Sequence, residues 1–576
     1  MTFAELSSFL EKLERTSSRI EITKILAELY KKASNTEVDK ITYLLLGSLA
    51  PAYKGIVFNL AERMMIGVLA KAYGLEQKKV QQVYKREGDL GNTASVLAQR
   101  EKGKVQRSKL SVTDVFERLS EIAKDEGEKS VERKIEGMAK LLSELDSQSS
   151  RFVARIPVGR LRLGFSDKTI LDALSWMEVG DKSKKAKLEK AYQVVPDVGF
   201  LAKKVKQFGI DKASENIKPV VGVPVLPMLA QRIKSPTEMI KKMGKVFVEP
   251  KFDGLRVLIH YKKVGAREEI SAFTRNLNNV VEMFSELKGI GKHVNAKELI
   301  LDTEAVGMDP EMVKMANFQT TMQRRRKYDI EEKAKSIPLK FQVFDIIFRD
   351  GKSFMDRPYF ERREILKKTI LDDKLLIVDD AVVTDNPEII NREYREKIKA
   401  GLEGVIVKKY DTAYIPGRTG WRWVKMKEEE AASGKLADTI DCVVMGYSAG
   451  RGKRVSFGLG QFLVGVLDPP AGGMIKTVTK VGTGLTDEQF RELKKRLSGL
   501  EVKDKPKEYA DVSKLLQPDF WVEPSLVVEI AADEITKSPN HSAGLALRFP
   551  RLVRFRDDKS PDQATTVAEV KKLYEM

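Results

Sequence analysis

The sequence predicts a multidomain chain: an all-α N-terminal domain over residues 1–218, an α+β domain over 219–427 and a small β-barrel domain over 428–576. Three observations predict it. At 576 residues the chain is too long for one core, since domains commonly run to roughly 100–150 residues. Apolar residues recur at helical spacing up to about residue 215, then at strand-like spacing beyond a stretch broken by Pro219, Pro224 and Pro227. A second change of texture follows Lys427, where Glu428-Glu429-Glu430 and Ala431 to Gly434 read as a hinge.

In the first domain Ile135, Met138, Leu141, Leu142 and Leu145 fall on one helical face, with charges between them. Ser34 and Glu37 have the spacing of a capping box ahead of the apolar run Ile41 to Leu49. No fixed repeat period recurs, which speaks against a solenoid. The middle domain has strand-like runs at Val246 to Val248, Arg256 to Tyr261, Leu299 to Leu301, Phe341 to Phe348 and Gly404 to Val407, with a helix over Tyr359 to Ile370. The last domain has strand-like runs at Cys442 to Gly446, Phe462 to Leu467, Leu526 to Ile530 and Ala546 to Phe549, and a helix near Asp487 to Leu497.

Lysine and arginine total 102 against 83 acids, a net charge of +19, which suits a polyanionic partner: nucleic acid or an anionic membrane surface. Hydrophobic residues make up 42%, enough for packed cores rather than wholesale disorder. The single cysteine, Cys442, rules out an internal disulfide and a zinc site of several thiolates. His260, His293 and His541 are too scattered for a metal cluster or a Ser-His-Asp triad, and His260 alternates with apolar residues as a strand residue would. No secretory leader is recognisable, and no apolar run reaches the ~20 residues of a membrane span, so a soluble cytoplasmic protein with no membrane partner is expected.

The segment Glu249-Pro250-Lys251-Phe252-Asp253-Gly254-Leu255-Arg256 directly follows the strand Val246 to Val248. A lysine is a poor nucleophile while protonated, and its free pKa is about 10.4. Burial and nearby cations disfavour the ammonium, so a lysine at a strand end beside basic groups can be activated. Asp253-Gly254 suits a tight turn that lets backbone approach a phosphate. Alone, the tetrapeptide Lys251 to Gly254 is weak, because a surface turn with solvated charges has the same composition. The ordered segments that follow overturn that reading. They are Phe273-Thr274-Arg275-Asn276, Leu301-Asp302-Thr303-Glu304, Phe341-Gln342-Val343-Phe344-Asp345, Glu403 to Lys408, Trp423-Val424-Lys425-Met426-Lys427, and Arg548-Phe549-Pro550-Arg551 leading into Arg556-Asp557-Asp558-Lys559.

This series resembles the covalent nucleotidyltransferase superfamily, which holds ATP-dependent DNA ligases, RNA ligases and mRNA capping enzymes. The resemblance implies that Lys251 attacks the α-phosphorus of ATP and keeps AMP as a phosphoramidate. By the same resemblance Glu249 reads the adenine amino group, Phe344 stacks on the adenine, and Arg256 and Arg275 hold the ribose and phosphates. Glu304 and Glu403 bind the ribose or orient Mg²⁺, a hard ion that prefers oxygen ligands. Lys425 and Lys427 alternate on one strand face and neutralise the α-phosphate. For Lys408 and Lys427 a solvated surface face is the other reading. Tyr414 to Gly420 matches a basic nucleotide-contacting loop to within one residue of register, with Arg418 as the contact. Where the family often carries an acid after Arg275-Asn276, this chain has Leu277-Asn278-Asn279.

The flanks resemble the archaeal and eukaryotic type of ATP-dependent DNA ligase. Arg151 to Ser166 holds four arginines and no acid, and within it Gly159-Arg160-Leu161-Arg162-Leu163-Gly164 is similar to the loop by which the helical domain of these enzymes touches backbone phosphates. Arg160, Arg162 and Gly164 are the implied contacts: arginines supply sequence-neutral phosphate binding and glycine permits close approach. The implied architecture is a helical DNA-binding domain, an adenylation domain and an OB-fold barrel that closes over ATP, with Arg551 and Lys559 orienting pyrophosphate. Nicked double-stranded DNA is the implied substrate and a monomer the implied state. A sliding clamp is a candidate partner by family, but Gln106 lies in the right region without the expected aromatic pair. An RNA ligase or capping-type enzyme is the enzymatic alternative, and an inactive DNA-binding scaffold is the alternative from another class.

Overall fold

The computed structural model describes residues 1–102, 109–159, 161, 163–233, 235–311, 315–316, 318–324, 330–417, 420–427, 439–450, 454, 457–469, 472–532 and 534–575. Gln106, Arg160, Arg162, Arg418 and the expected hinge at 428–434 lie outside these residues. The chain divides into two compact units, Met1–Ala61 with Gln106–Glu428, and Glu62–Val105 with Glu429–Met576.

Helices fill the first part of the chain, from Phe3–Arg15 to Val198–Ser214. On the helix Ser130–Glu144, Met138, Leu141 and Leu142 are buried, as is Leu145 at its end, while Ile135 is half-buried. The expected capping box at Ser34 and Glu37 forms by half. Glu37 Oε1 accepts the Ser34 N–H at 2.8 Å, but the helix begins at Val38, because a turn closed on the Ser34 carbonyl comes first. Residues 219–227 are non-helical, as their prolines dictate.

Two sheets follow in the first unit. One has the order β1-β11-β10-β2-β9, where β1 is Gln231–Arg232, β2 Val246–Lys251, β9 Val382–Thr384, β10 Gly404–Lys409 and β11 Trp423–Lys427. The other has the order β4-β3-β5-β6-β7 with β8 beside β6, where β3 is Leu255–Val264, β4 Arg267–Thr274, β5 Glu298–Gly307, β6 Leu339–Arg349, β7 Lys352–Ser353 and β8 Leu376–Val378. One face of the second sheet buries Val257, Ile259, Leu299, Leu301, Phe341 and Val343 in a continuous core. The helix Tyr359–Thr369 packs on β6.

His260 on β3 is fully buried, accepts the Gly222 N–H on Nδ1 at 3.1 Å and meets the Phe273 ring edge-on at 4.9 Å. Burial lowers its pKa from 6.5 to about 3. The unfolded chain therefore takes up a proton near pH 6.5 that the folded chain refuses until about pH 3, so this histidine subtracts stability as pH falls through that window. A slope of up to ~1.4 kcal/mol per pH unit is expected from this one group. Urea unfolding of wild type and His260→Asn between pH 7 and pH 4 checks it: the stability gap between them should narrow on acidification, and parallel curves would refute the assignment.

In the second unit β12 (Ile440–Ser448) pairs with β13 (Gln461–Asp468), β16 (Phe520–Val522) and β17 (Val527–Ala531). With β14 (Met474–Val481), β15 (Glu501–Val502) and β20 (Arg551–Phe555) they make a seven-stranded sheet, while β18 (Glu534–Lys537) and β19 (Leu545–Arg548) form a separate ribbon. Among the described residues these pairings do not close into a barrel. Bulges at Val444/Gly446, Val464/Gly465 and Glu529/Ile530 bend the sheet over a core that includes Cys442, Val464, Val528 and Leu493 of the helix Asp487–Ser498.

Candidate active site

Strand register builds one chemically active face. Gly404 on β10 lies opposite Lys251 on one side and Lys427 on the other, and Ile406 likewise lies between Glu249 and Lys425. Residues two apart on a strand share a face. Glu249, Lys251, Lys408, Trp423, Lys425 and Lys427 therefore project to one side, while Val246, Val248, Val405, Val407 and Val424 pack into a core on the other. The turn after Lys251 runs close against β5: a Cβ on Gly254 would lie 2.4 Å from the Ala305 carbonyl oxygen, so only glycine fits there.

Between the two sheets is a cavity of about 480 Å³, lined by Glu249, Lys251 and Lys425 from the first and by Arg256, Glu304 and Phe344 from the second, with Arg275 also on its wall. Four buried polar atoms of residues lining it have no hydrogen-bond partner among the described residues: Glu249 Oε2, which has an ion pair with Lys408, and Thr274 Oγ1, Asp379 Oδ1 and Trp423 Nε1. A polar ligand or ordered water in the cavity would give such atoms partners.

Lys251 Nζ donates to Glu403 Oε2, and Lys427 Nζ stands 3.3 Å from the other oxygen of Glu403. Burial lowers the Lys425 pKa, and the charges of Lys251 and Lys427 lower it further. Glu304 is pushed up to about 7 by burial, against the pull of Arg256 and Lys251. Glu249 sits deeper, 1% exposed. Tyr359 Oη donates to it, Arg363 Nη1 lies 3.2 Å from Oε1, and Lys408 Nζ lies 2.6 Å from Oε2. Lys408 is itself buried, which removes the solvated reading for that residue. Arg256 forms a two-pronged pair with Asp302, at 2.9 and 2.6 Å, and its Nη1 donates to the Met228 carbonyl at 2.7 Å. Its guanidinium lies 5.3 Å from the Phe344 ring centre, and Trp423 meets the same ring edge-on at 5.9 Å.

The structure thus gathers Lys251, Glu249, Arg256, Arg275, Glu304, Phe344 and Lys425 around one cavity and joins Glu403 and Lys427 to it through ion pairs. Arg275 is exposed on the rim. In the second unit Arg551 begins β20, and Lys559 Nζ donates to Asp441 at 2.6 Å beside Arg556, which grips the same carboxylate at 2.9 Å. Gly164 is exposed with φ of 74°, in a loop anchored by buried Leu161 and Leu163. Sequence reasoning gave no site role to Tyr359, Arg363, Asp302, Tyr414 or Asp379. A signal existed for one of them, Arg363: Tyr359, Arg362, Arg363, Leu366 and Thr369 are the buried stripe of their helix, so Arg363 and its neighbour Arg362 fall where apolar residues belong.

Comparison with known proteins decides the family. Residues 227–427 match the model described as ATP dependent DNA ligase domain, 2–175 the DNA ligase N terminus and 456–559 the ATP dependent DNA ligase C terminal region. A probable DNA ligase of Dictyoglomus turgidum is 39% identical over 583 residues, covering 100% of this chain and 97% of its own. The DNA ligase of Saccharolobus solfataricus is 35% identical over 596 residues, again covering 100% of this chain and 97% of its own. The chain belongs to the ATP-dependent DNA ligase family. A solved structure named Pmar-Lig_PreS3, 18% identical, covers 96% of this ligase and 99% of its own chain with a TM-score of 0.53, a likeness of fold alone. The helical first part, the two-sheet middle and the β-rich last part agree with the architecture expected of such a ligase. No helix among the described residues is long and apolar enough to cross a membrane.

Proposed function

We propose that this ligase seals nicks in duplex DNA with ATP, using Lys251 as the nucleophile that carries AMP. The observation that carries the reading is the placement of Lys251 at the end of β2, in one cavity with Glu249, Phe344, Lys425 and Glu304. Lys251 leaves its pairing with Glu403, sheds a proton and forms an N–P bond with the α-phosphorus, while the α–β phosphate bridge breaks and pyrophosphate departs. AMP then passes to the 5′-phosphate at the nick, and the neighbouring 3′-hydroxyl displaces it. Phe344 offers the adenine a flat face, Glu249 accepts from its amino group, and Arg256, Arg275, Arg418, Lys425 and Lys427 bind the ribose and phosphates. Such catalysis is positioning and charge neutralisation.

Two carboxylates at the phosphate end, Glu304 and Glu403, suit Mg²⁺, which typically takes one or two carboxylates and completes its shell with water and phosphate oxygens. When bound, the ion would neutralise phosphate charge. Residues 428–576 are read as the OB-fold domain, with Arg551 and Lys559 orienting pyrophosphate, and residues 1–218 as the DNA-binding domain, with Arg160, Arg162 and Gly164 on backbone phosphates. The ligase is read as a cytoplasmic monomer, with a sliding clamp as a candidate partner.

The test is incubation with α-labelled ATP and Mg²⁺, then a chase with nicked duplex DNA or nicked RNA. A labelled protein that discharges while sealing DNA is expected, with labelling lost when EDTA is added beforehand. Discharge onto RNA alone would move the chain to the RNA ligases, and labelling by another nucleotide but not ATP would overturn the cofactor.

A further inference from the structure

The base-binding end of the cavity holds one carboxyl group that the reading above does not use. Asp379 follows β8, and β8 runs parallel to β6 with Val378 opposite Val343, so Asp379 comes level with Phe344, the adenine platform. The Asp379 N–H donates to the Val343 carbonyl at 3.3 Å, and Arg363, which reaches the Glu249 carboxylate, also donates to the Asp379 carbonyl. Asp379 thus shares one tether with Glu249. It lines the cavity, is 3% exposed, and its Oδ1 has no hydrogen-bond partner among the described residues.

The chemistry of the pocket wall says what this group is for. Adenine presents a donor, its 6-amino group, beside an acceptor, ring nitrogen N1. Glu249, flanked by Lys408 and Arg363, can only accept, and so serves the amino group. Its neighbour on the lining is Pro250, which has no backbone N–H to offer N1. A side-chain donor level with the base platform can take that part, and a carboxylic acid is one when it keeps its proton. Resting on the adenylation reading above, we propose that Asp379 reads adenine N1 through its carboxylic O–H while Glu249 reads the amino group, so that the two carboxyls together select ATP by the edge of its base. Burial, and then the negative charge of Glu249, push the Asp379 carboxyl well above the usual carboxylate range, a direction that favours the protonated form. Guanine and hypoxanthine present the reverse pattern, N1–H with a 6-oxo acceptor, so Glu249 would face an acceptor and the Asp379 O–H would have to turn away from N1.

Self-adenylation of the full chain tests this without relying on one variant. The half-saturating concentration is measured for ATP, 1-deaza-ATP and 7-deaza-ATP on wild type, Asp379→Asn and Asp379→Ala. One neutral hydrogen bond corresponds to a change of about tenfold. Wild type should lose about tenfold with 1-deaza-ATP and little with 7-deaza-ATP. Asp379→Asn keeps a donor and should stay within about threefold of wild type with ATP. Asp379→Ala should lose about tenfold with ATP and show no further loss with 1-deaza-ATP. Trp423→Phe and Thr274→Val, which remove the two other unpartnered donors on the lining, should each still discriminate against 1-deaza-ATP. The inference is overturned if wild type uses 1-deaza-ATP as well as ATP, if the loss falls on 7-deaza-ATP, or if Trp423→Phe or Thr274→Val abolishes the discrimination. An Asp379→Ala protein that fails to fold leaves the wild-type analogue comparison and Asp379→Asn to decide. Failure of ATP to label wild type at all would strike the Lys251 reading, whereas labelling and sealing that ignore N1 would strike this inference alone.

Discussion

Lys251→Ala is expected to abolish labelling by α-labelled ATP, a loss of at least about 10⁴-fold in self-adenylation, because it removes the proposed nucleophile and leaves the other lysines of the site as charge-neutralising groups. The loss should be chemical rather than structural. Lys251 is partly exposed, and Glu403 keeps a second cation at 3.3 Å, Lys427, so unfolding stability should change by no more than about 1 kcal/mol. The variant should also retain one partial activity. A nick whose 5′-phosphate already carries AMP needs only attack by the 3′-hydroxyl, for which Lys251 supplies no bond, so sealing of pre-adenylated DNA should survive. Labelling of Lys251→Ala at wild-type level would remove the proposed nucleophile. Loss of both activities with an unchanged unfolding curve would mean that Lys251 also positions the DNA ends.

How much of this was legible in the sequence follows from where each residue lies. Strands with one polar and one apolar face announce themselves, which is why β2, β10 and β11 and the alternation of Lys425 with Lys427 were readable. Arg267–Thr274 does not announce itself as a strand, because its first half is charged and exposed and it is held by pairing to β3 rather than by its own pattern. The motif segments carry a recognisable order along the chain. The contacts that hold their residues do not. Asp302 and Tyr414 fall inside those segments and Tyr359 and Arg363 outside them. Yet that Asp302 clamps Arg256, that Tyr414 donates to Asp302 at 2.7 Å and that Tyr359 with Arg363 seats Glu249 is set by pairings across tens of residues or more. Charge alone suggested a solvated Lys408, and only the fold shows it buried among Glu249, Phe344 and Tyr359.

The largest stability effect is expected at one of these unread positions. Arg362 and Asp345 have no exposed side-chain surface; they pair through two contacts of 2.8 and 2.9 Å, and Arg362 Nη1 also donates to the carbonyls of Arg357 at 2.6 Å and Thr412 at 2.8 Å. Arg362→Ala strands the Asp345 charge in the core and should cost about 3–5 kcal/mol. Arg362→Lys should recover little, since a single ammonium cannot span both oxygens and two carbonyls. Function should suffer as well. Asp345 directly follows Phe344, and the helix bearing Arg362 also brings Tyr359 and Arg363 to Glu249, so loosening it disturbs the base platform and its acceptor at once. Removing both charges separates the two effects. In Arg362→Met with Asp345→Leu no buried charge is left unpaired, so much of the stability should return, while half-saturation by ATP stays raised because the polar anchor of the helix is gone. Urea unfolding and self-adenylation across ATP concentration measure the two quantities. A stability loss below about 1 kcal/mol in Arg362→Ala would show that the buried pair contributes little, and normal ATP saturation in the double variant would show that packing alone seats the helix.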